Sequence, residues 1–106
     1  RKRIMFERAD AFVALPGGFG TLEELAEVLT LKQLGSLQSA VVLINVGSFY
    51  DPLLAFFEQM YTRSFAREAF RALYHLASGV DDALNYVEAY RPGALPAKWF
   101  GREQAS

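Results

Sequence analysis

The sequence contains no cysteine and a single histidine among its 106 residues. Disulfides and thiolate metal sites are therefore excluded, as is a site built from several histidines of one chain, and no metal site is expected. The sequence also lacks a block of charge of one sign, since eleven basic and twelve acidic residues leave a net charge of −1. This balance argues against a nucleic acid or a membrane surface as partner.

Long apolar runs and a signal-peptide pattern are also missing, so no transmembrane helix is expected and a cytoplasmic location is the default interpretation. Hydrophobic residues still make up 52% of the chain, enough to fill the core of one small domain. Because the chain starts at Arg1 without a methionine, we expect residues 1–90 to be the C-terminal part of a single domain that lacks its N-terminal strand or strands. Residues 91–106 hold two prolines and two glycines and are expected to form an extended tail.

Two nearly continuous apolar runs, residues 11–15 and 40–46, are typical of strands covered on both faces, as in a parallel sheet. The other expected elements are a helix end over 2–9, helices over 21–34, 51–62 and 78–90, and a third strand over 73–77. Residues 71–76 could instead continue a helix. This β-α-β-α-β-α order predicts an α/β fold, a Rossmann-like parallel sheet with helices on both faces.

The helix predicted over 21–34 is amphipathic. Its apolar arc is expected to hold Leu22, Leu25, Ala26, Val28 and Leu29, and its polar arc Glu23, Glu24, Glu27 and Thr30. Thr21 is a candidate N-cap, with Glu24 three residues later as in a capping box. Gly35 is expected to end the helix.

A glycine-rich turn, Pro16-Gly17-Gly18-Phe19-Gly20, connects the first strand to this helix. Glycines let a ligand approach without Cβ atoms in the way, and the amides of a helix N-terminus suit a phosphate. No Gly-Lys-Ser/Thr follows Gly20, which excludes a P-loop, and Glu23 occupies the third glycine position of a dinucleotide fingerprint. The glycines alone are compatible with a phosphate or ribose site and with a bare strand-to-helix turn. With Thr21 and the open helix N-terminus beside them, we favour phosphate binding.

The complete pattern Pro-Gly-Gly-x-Gly-Thr-x-x-Glu of residues 16–24, preceded by Arg1-Lys2, resembles the LOG family, named for the "lonely guy" cytokinin-activating enzymes. The resemblance is strong as far as Tyr50 and looser to about Tyr90. Two departures stand out. The glycine-rich turn that the family carries upstream of Arg-Lys is absent, and Leu31 stands where plant members usually carry tryptophan, which leaves the base preference open.

The resemblance implies a homodimeric Rossmann-like enzyme whose active site draws on both subunits. Its substrate would be a nucleoside 5′-monophosphate, AMP or an N6-substituted AMP such as a cytokinin riboside monophosphate. Hydrolysis of the N-glycosidic bond would release the base and ribose 5-phosphate. No cofactor is implied. Many family members were labelled lysine decarboxylases, but nothing in this sequence supports pyridoxal phosphate chemistry.

Carried over by position, the resemblance makes Arg1 and Glu24 the catalytic residues. Arg1 would steady the leaving base or the phosphate, and Glu24 the oxocarbenium-like charge on the ribose. The expected substrate-binding residues are Lys2, Gly17, Gly18, Phe19, Gly20, Thr21, Leu22, Glu23 and Thr30. Glu23 could instead serve mainly the helix dipole, and Thr30 could belong to a solvated helix face. His75 is expected to be structural, and Trp99 is assigned no chemistry.

Two other functions stay open from the sequence. One is a module that binds a nucleotide or its phosphate without turnover, as related Rossmann-like domains do. The other is a structural fragment that has no activity without its N-terminal part. Arg1 and Glu24 together favour the enzyme, because a pure binder would need neither.

Overall fold

The structure, a computed structural model, describes the backbone of residues 4–5 and residues 11–91. One sheet has the strand order β1 (Ile4–Met5), β2 (Ala11–Ala14), β3 (Ala40–Ile44) and β4 (His75–Ala77). Strands β2, β3 and β4 are parallel, while β1 pairs antiparallel with β2 at the edge. The predicted parallel sheet and all three of its predicted strands are confirmed, although β3 is two residues shorter than its apolar run.

The predicted helix end over 2–9 is wrong at Ile4 and Met5, which form a strand paired with Val13 and Phe12. A short apolar run fits a helix or a strand equally well by periodicity. Ile4 and Met5 form a strand because they supply hydrogen-bond partners for backbone donors and acceptors at the otherwise unpaired edge of β2. The rest of that predicted segment and the predicted tail beyond Arg91 lie outside the described residues.

Within residues 11–91, three α-helices cover the sheet: α1 (Phe19–Gln33), α2 (Asp51–Thr62) and α3 (Val80–Ala89). Two 3-10 helices, Val46–Ser48 and Glu68–Leu73, lie in the connections. Helices α1 and α2 pack on one face of the sheet over a core of Phe12, Ala14, Leu25, Val28, Val41, Leu43 and Tyr50. Helix α3 packs on the other face over Val13, Val42, Ile44, Ala77 and Ala83. Helices on both faces are therefore confirmed.

Helix α1 begins two residues before its predicted start. Its N-cap is Gly18, which has no side chain to donate or accept a hydrogen bond, and Thr21 lies inside the first turn. The prediction of Thr21 as N-cap in a capping box with Glu24 is therefore wrong. Glycine is itself accepted at the N-cap position, so the turn enters the helix without a hydroxyl cap.

The buried stripe of α1 is also rotated from the predicted apolar arc. It consists of Thr21, Leu25, Val28 and Lys32, at the spacing of one helix face. Two members of the predicted arc, Leu22 and Ala26, are exposed. They face a groove towards α2. Lys32 enters the interior because its Nζ atom donates to the Leu73 carbonyl at 2.9 Å.

The C-terminal end of α1 and the start of α2 lie where the sequence predicted them. Gly35 has a φ of 84°, and the amide of Ser36 donates to the Leu31 carbonyl, so α1 ends there as predicted. Helix α2 spans the predicted residues 51–62, and its N-cap is Tyr50. The Asp51 carboxylate accepts a hydrogen bond from Asn45 Nδ2 at 2.8 Å.

Candidate functional site

The glycine-rich turn lies at the carboxyl end of β2, the edge where open α/β sheets bind their ligands. A groove of about 320 Å³ opens there. Its lining is Gly17, Gly18, Phe19, Thr21 and Leu22 from the turn and α1, and Phe49, Tyr50, Pro52 and Leu53 from the start of α2. The structure thus gathers five of the predicted substrate-binding residues around one groove.

The first amides of α1 are available to a ligand at this turn. The earliest hydrogen bond of the helix runs from the Leu22 amide to the Gly18 carbonyl, at 3.1 Å. The amides of Phe19, Gly20 and Thr21 precede it and so have no intrahelical acceptor. They stand at the positive end of the helix dipole, where an anionic group such as a phosphate is stabilised.

The three glycines of the turn have different surroundings. A Cβ atom on Gly17 would overlap the Thr21 hydroxyl and lie 3.1 Å from the Thr21 Cβ. A Cβ atom on Gly18 or Gly20 would meet nothing within 4 Å. A side chain on Gly17 would therefore crowd Thr21, whereas Gly18 and Gly20 keep the approach to the helix N-terminus open.

Thr21 brings a buried hydroxyl to the groove. The residue is only 2% exposed. Among the residues that the structure describes, none accepts or donates a hydrogen bond at its Oγ1 atom. A buried hydroxyl without a partner destabilises the fold, and an oxygen of a ligand at the turn would relieve that cost.

Glu24 lies about one turn after Thr21 on α1 and is not among the residues that line the groove. The side chain is half-buried, with Oε1 withdrawn from solvent. Glu23 is exposed. A half-buried carboxylate next to a phosphate-type site can stabilise positive charge that develops on the adjoining ribose.

Gly20, Glu23 and Thr30 do not line this groove, and Thr30 lies furthest along α1 from it. It stands ten residues after Gly20, which is roughly 15 Å along the helix. Its hydroxyl donates to the Ala26 carbonyl at 2.8 Å. It lines a second groove between α1, α2 and the 3-10 helix, so it is separated from the glycine turn. Arg1 and Lys2 lie outside the described residues, and their roles stay predictions.

Tyr50 contributes to this site although the sequence analysis did not name it as a site residue. Its hydroxyl donates to the carbonyl of Leu15 at 2.6 Å, directly before the glycine turn. The available signal was its position before Asp51-Pro52, a helix start that follows a buried strand. Such a residue lies at the same sheet edge as the end of β2.

His75 has structural partners, in line with its prediction. Its Nε2 atom lies 3.1 Å from Asp82 Oδ1, and its ring stacks on Tyr86 at 4.2 Å between centroids. Hydrogen bonds from the Ser78 amide and from His75 hold the pKa of the Asp82 carboxyl below its usual value. Within residues 11–91, no group of three or more histidine and carboxylate side chains could hold a metal ion.

A membrane-spanning helix is also absent from the described residues, because none of their helices has the length and apolar character that a span needs.

Comparison with known proteins gives consistent matches. The family model described as "Possible lysine decarboxylase" matches residues 1–87. The cytokinin riboside 5′-monophosphate phosphoribohydrolase LOG of Oryza sativa subsp. japonica is 45% identical over 92 residues, 87% of this chain and 38% of that protein. Its counterpart LOG2 of Arabidopsis thaliana is 44% identical over 92 residues, 87% of this chain and 43% of that protein. The chain therefore spans about two fifths of the length of these relatives.

Proposed function

This chain belongs to the possible lysine decarboxylase, or LOG, family, and we propose that its protein hydrolyses the N-glycosidic bond of a nucleoside 5′-monophosphate. The substrate class is AMP or an N6-substituted AMP of the cytokinin riboside monophosphate type, which the names of the relatives support. The products are the free base and ribose 5-phosphate.

One observation carries this proposal. The open amides of Phe19, Gly20 and Thr21 lie at the carboxyl end of β2, and the half-buried carboxylate of Glu24 follows within one turn of the same helix. The amides and the dipole would hold the 5′-phosphate. That anchorage would bring the ribose beside the phosphate, within the range of the carboxylate.

For this reaction the protein has to position the substrate and stabilise the charge that develops as the bond breaks. The C1′–N bond breaks with its electron pair going to the base, a water oxygen bonds to C1′, and the water protons end on the base and the ribose hydroxyl. Positive charge on the ribose peaks in between, where the Glu24 carboxylate would stabilise it and orient the ribose hydroxyl or the water. Arg1 is proposed to steady the leaving base or the phosphate, and Lys2 to assist in binding.

The described residues do not fit the decarboxylase chemistry in the family's description. A pyridoxal phosphate enzyme needs a lysine amine that reaches the cofactor. In the part of the chain that the structure describes, the one lysine is Lys32, whose amine is buried on the Leu73 carbonyl and 4.9 Å from the Tyr90 ring centroid. It stands eleven residues after Thr21, roughly 16 Å along the helix, so it cannot serve a cofactor at the glycine turn.

The proposal also includes the oligomeric state, the location and the cofactor requirement of the protein. We expect a homodimer, as the resemblance implies, and a cytoplasmic location. No cofactor is required, because the proposed reaction uses only water, a carboxylate and phosphate-binding amides.

The test is a panel of nucleoside 5′-monophosphates incubated with the intact protein, with ribose 5-phosphate measured as product. We expect release from AMP or its N6-substituted forms and none from the matching nucleosides, because the phosphate anchors the substrate. Free lysine with added pyridoxal phosphate serves as the control for the decarboxylase description. A protein that binds these nucleotides without forming ribose 5-phosphate would instead be a binding module.

A further inference from the structure

Among the described residues, a backbone hydrogen bond from the Leu22 amide to the Gly18 carbonyl closes the turn between β2 and α1. Strand β2 ends at Ala14, and Pro16 has no amide proton to donate. The Leu15 carbonyl, directly before the proline, accepts a hydrogen bond of 2.6 Å from the Tyr50 hydroxyl. This contact joins the entry of the glycine turn to the start of α2, 35 residues later in the chain.

Tyr50 is itself held firmly. It is 4% exposed, and burial raises the pKa of its hydroxyl, which keeps the proton that it donates. Its amide donates to Asn45 Oδ1 at 2.7 Å. The Phe49 ring packs edge-on against the Tyr50 ring at 5.0 Å between centroids.

Asn45 connects this arrangement to the sheet. Its own amide donates to the Ala77 carbonyl at 2.9 Å, which fixes the residue beside β4. Its side chain bonds both the Tyr50 amide and the Asp51 carboxylate. The position of the Tyr50 hydroxyl is therefore set by the rigid part of the fold rather than by the loop that it contacts.

Tyr50 also lines the groove together with Gly17 and Gly18. From this geometry we propose that Tyr50 is a positioning residue, whose hydroxyl fixes the glycine turn so that the first amides of α1 meet the phosphate of the substrate. The inference rests on the proposed function for its ligand. As a positioning residue, Tyr50 is expected to act on binding of the phosphate and not on cleavage of the bond.

The test is Tyr50→Phe in the intact protein, which removes only the hydroxyl. The matched control is Tyr61→Phe, since the Tyr61 hydroxyl pairs with Tyr74 at 2.6 Å, away from the glycine turn. We expect Tyr50→Phe to raise KM for AMP roughly tenfold, the scale of one lost hydrogen bond with a buried carbonyl left behind. The kcat should stay within about twofold, because binding of the phosphate is common to ground and transition states. The control should change neither.

A second measurement is independent of activity. The Leu22 amide closes the first turn of α1 on the Gly18 carbonyl, so its hydrogen exchange reports how well the glycine turn is held. We expect faster exchange at Leu22 in Tyr50→Phe and the parent rate in Tyr61→Phe. An unchanged Leu22 rate would overturn the positioning role of Tyr50. If the parent neither binds nor cleaves AMP, the proposed function fails, while the exchange rates still decide the role of Tyr50.

Discussion

Glu24 differs from its neighbours on α1 in being half-buried beside the glycine turn, while Glu23 and Glu27 are exposed. Glu24→Gln keeps the size and hydrogen-bonding reach of the side chain but removes its charge. We expect turnover of AMP-type substrates to fall by roughly a hundredfold or more, the scale of losing one electrostatic stabiliser. Binding of the nucleotide should change far less.

The control for this prediction is Glu27→Gln, an equal loss of charge one turn further along the exposed side of the same helix. It should retain the parent turnover. Both variants need a binding titration beside the cleavage assay. Near-normal turnover by Glu24→Gln would remove Glu24 from the mechanism and favour the non-catalytic binding module.

Substitutions at Gly17 and Gly20 test two different roles of glycine in this turn, which are packing against Thr21 and access of a ligand to the helix N-terminus. Gly17→Ala would place a Cβ against Thr21, so we expect a lower melting temperature. Gly20→Val adds a side chain in open space, so the fold should be retained within a few degrees while the bulk blocks the phosphate and abolishes nucleotide binding. Calorimetry and a binding titration on both variants check this. Normal nucleotide binding by Gly20→Val would contradict a phosphate site at this turn.

At the scale of elements, Lys32 joins α1 to two other segments. Its amine donates to Leu73 at the end of the second 3-10 helix and lies over the ring of Tyr90, just after α3. The residue is 3% exposed, and burial lowers the pKa of its amine from 10.5 to about 8. A charged group in this position therefore opposes folding at neutral pH.

This lowered pKa predicts how stability depends on pH. Between about pH 8 and pH 10.5 the unfolded chain holds a proton that the folded chain has released, so the free energy of unfolding rises with pH. A shift of this size corresponds to about 3 kcal/mol. Lys32→Met should abolish that rise, while Leu31→Met, next to it on the exposed side, should keep it. Urea unfolding from pH 7 to pH 10 measures both, and an equal slope in Lys32→Met would contradict the prediction.

Helix α1 shows which features could be predicted from the sequence and which could not. Its periodicity and Gly35 predicted the helix and its end. Its start was missed because Gly18 and Gly20 lower helix propensity, and yet glycine is accepted at a cap. The rotation of its buried face was missed because Lys32, a charged residue, belongs to that face. Burial of a lysine depends on the Leu73 carbonyl, a tertiary partner that no local pattern contains.

The candidate site likewise has features that the sequence predicted and features that depend on tertiary contacts. The motif of residues 16–24 predicted a glycine turn at the carboxyl end of the first strand, and the groove lies there. Thr30 was grouped with this site because spacing on a helix gives a face but not the distance along it. The bond from Tyr50 to Leu15 crosses 35 residues and could be recognised only once β2 and β3 were neighbours.

At the scale of the whole molecule, one face of the chain has an apolar groove of about 190 Å³ between α1, α2 and the second 3-10 helix. Ala26 and Leu29 from α1 meet Phe57 and Met60 from α2 there. Phe56 on α2 and Phe65, in the connection between α2 and the second 3-10 helix, are also exposed. Apolar surface of this kind is typical of a site that a partner covers, and the LOG resemblance implies a second copy of the chain.

We therefore expect the intact protein to sediment as a homodimer, and we expect a charge placed in this groove to separate the subunits. Ala26→Glu adds a carboxylate at an exposed position lining the groove, where burial in an interface would leave it unpaired. Val80→Glu is the control, since Val80 is 59% exposed on α3, on the opposite face of the sheet. Sedimentation velocity should show a dimer for the parent and for Val80→Glu and a monomer for Ala26→Glu. Because the resemblance implies an active site drawn from both subunits, the monomer should also lose AMP turnover. A parent protein that stays monomeric at high concentration would exclude the homodimer.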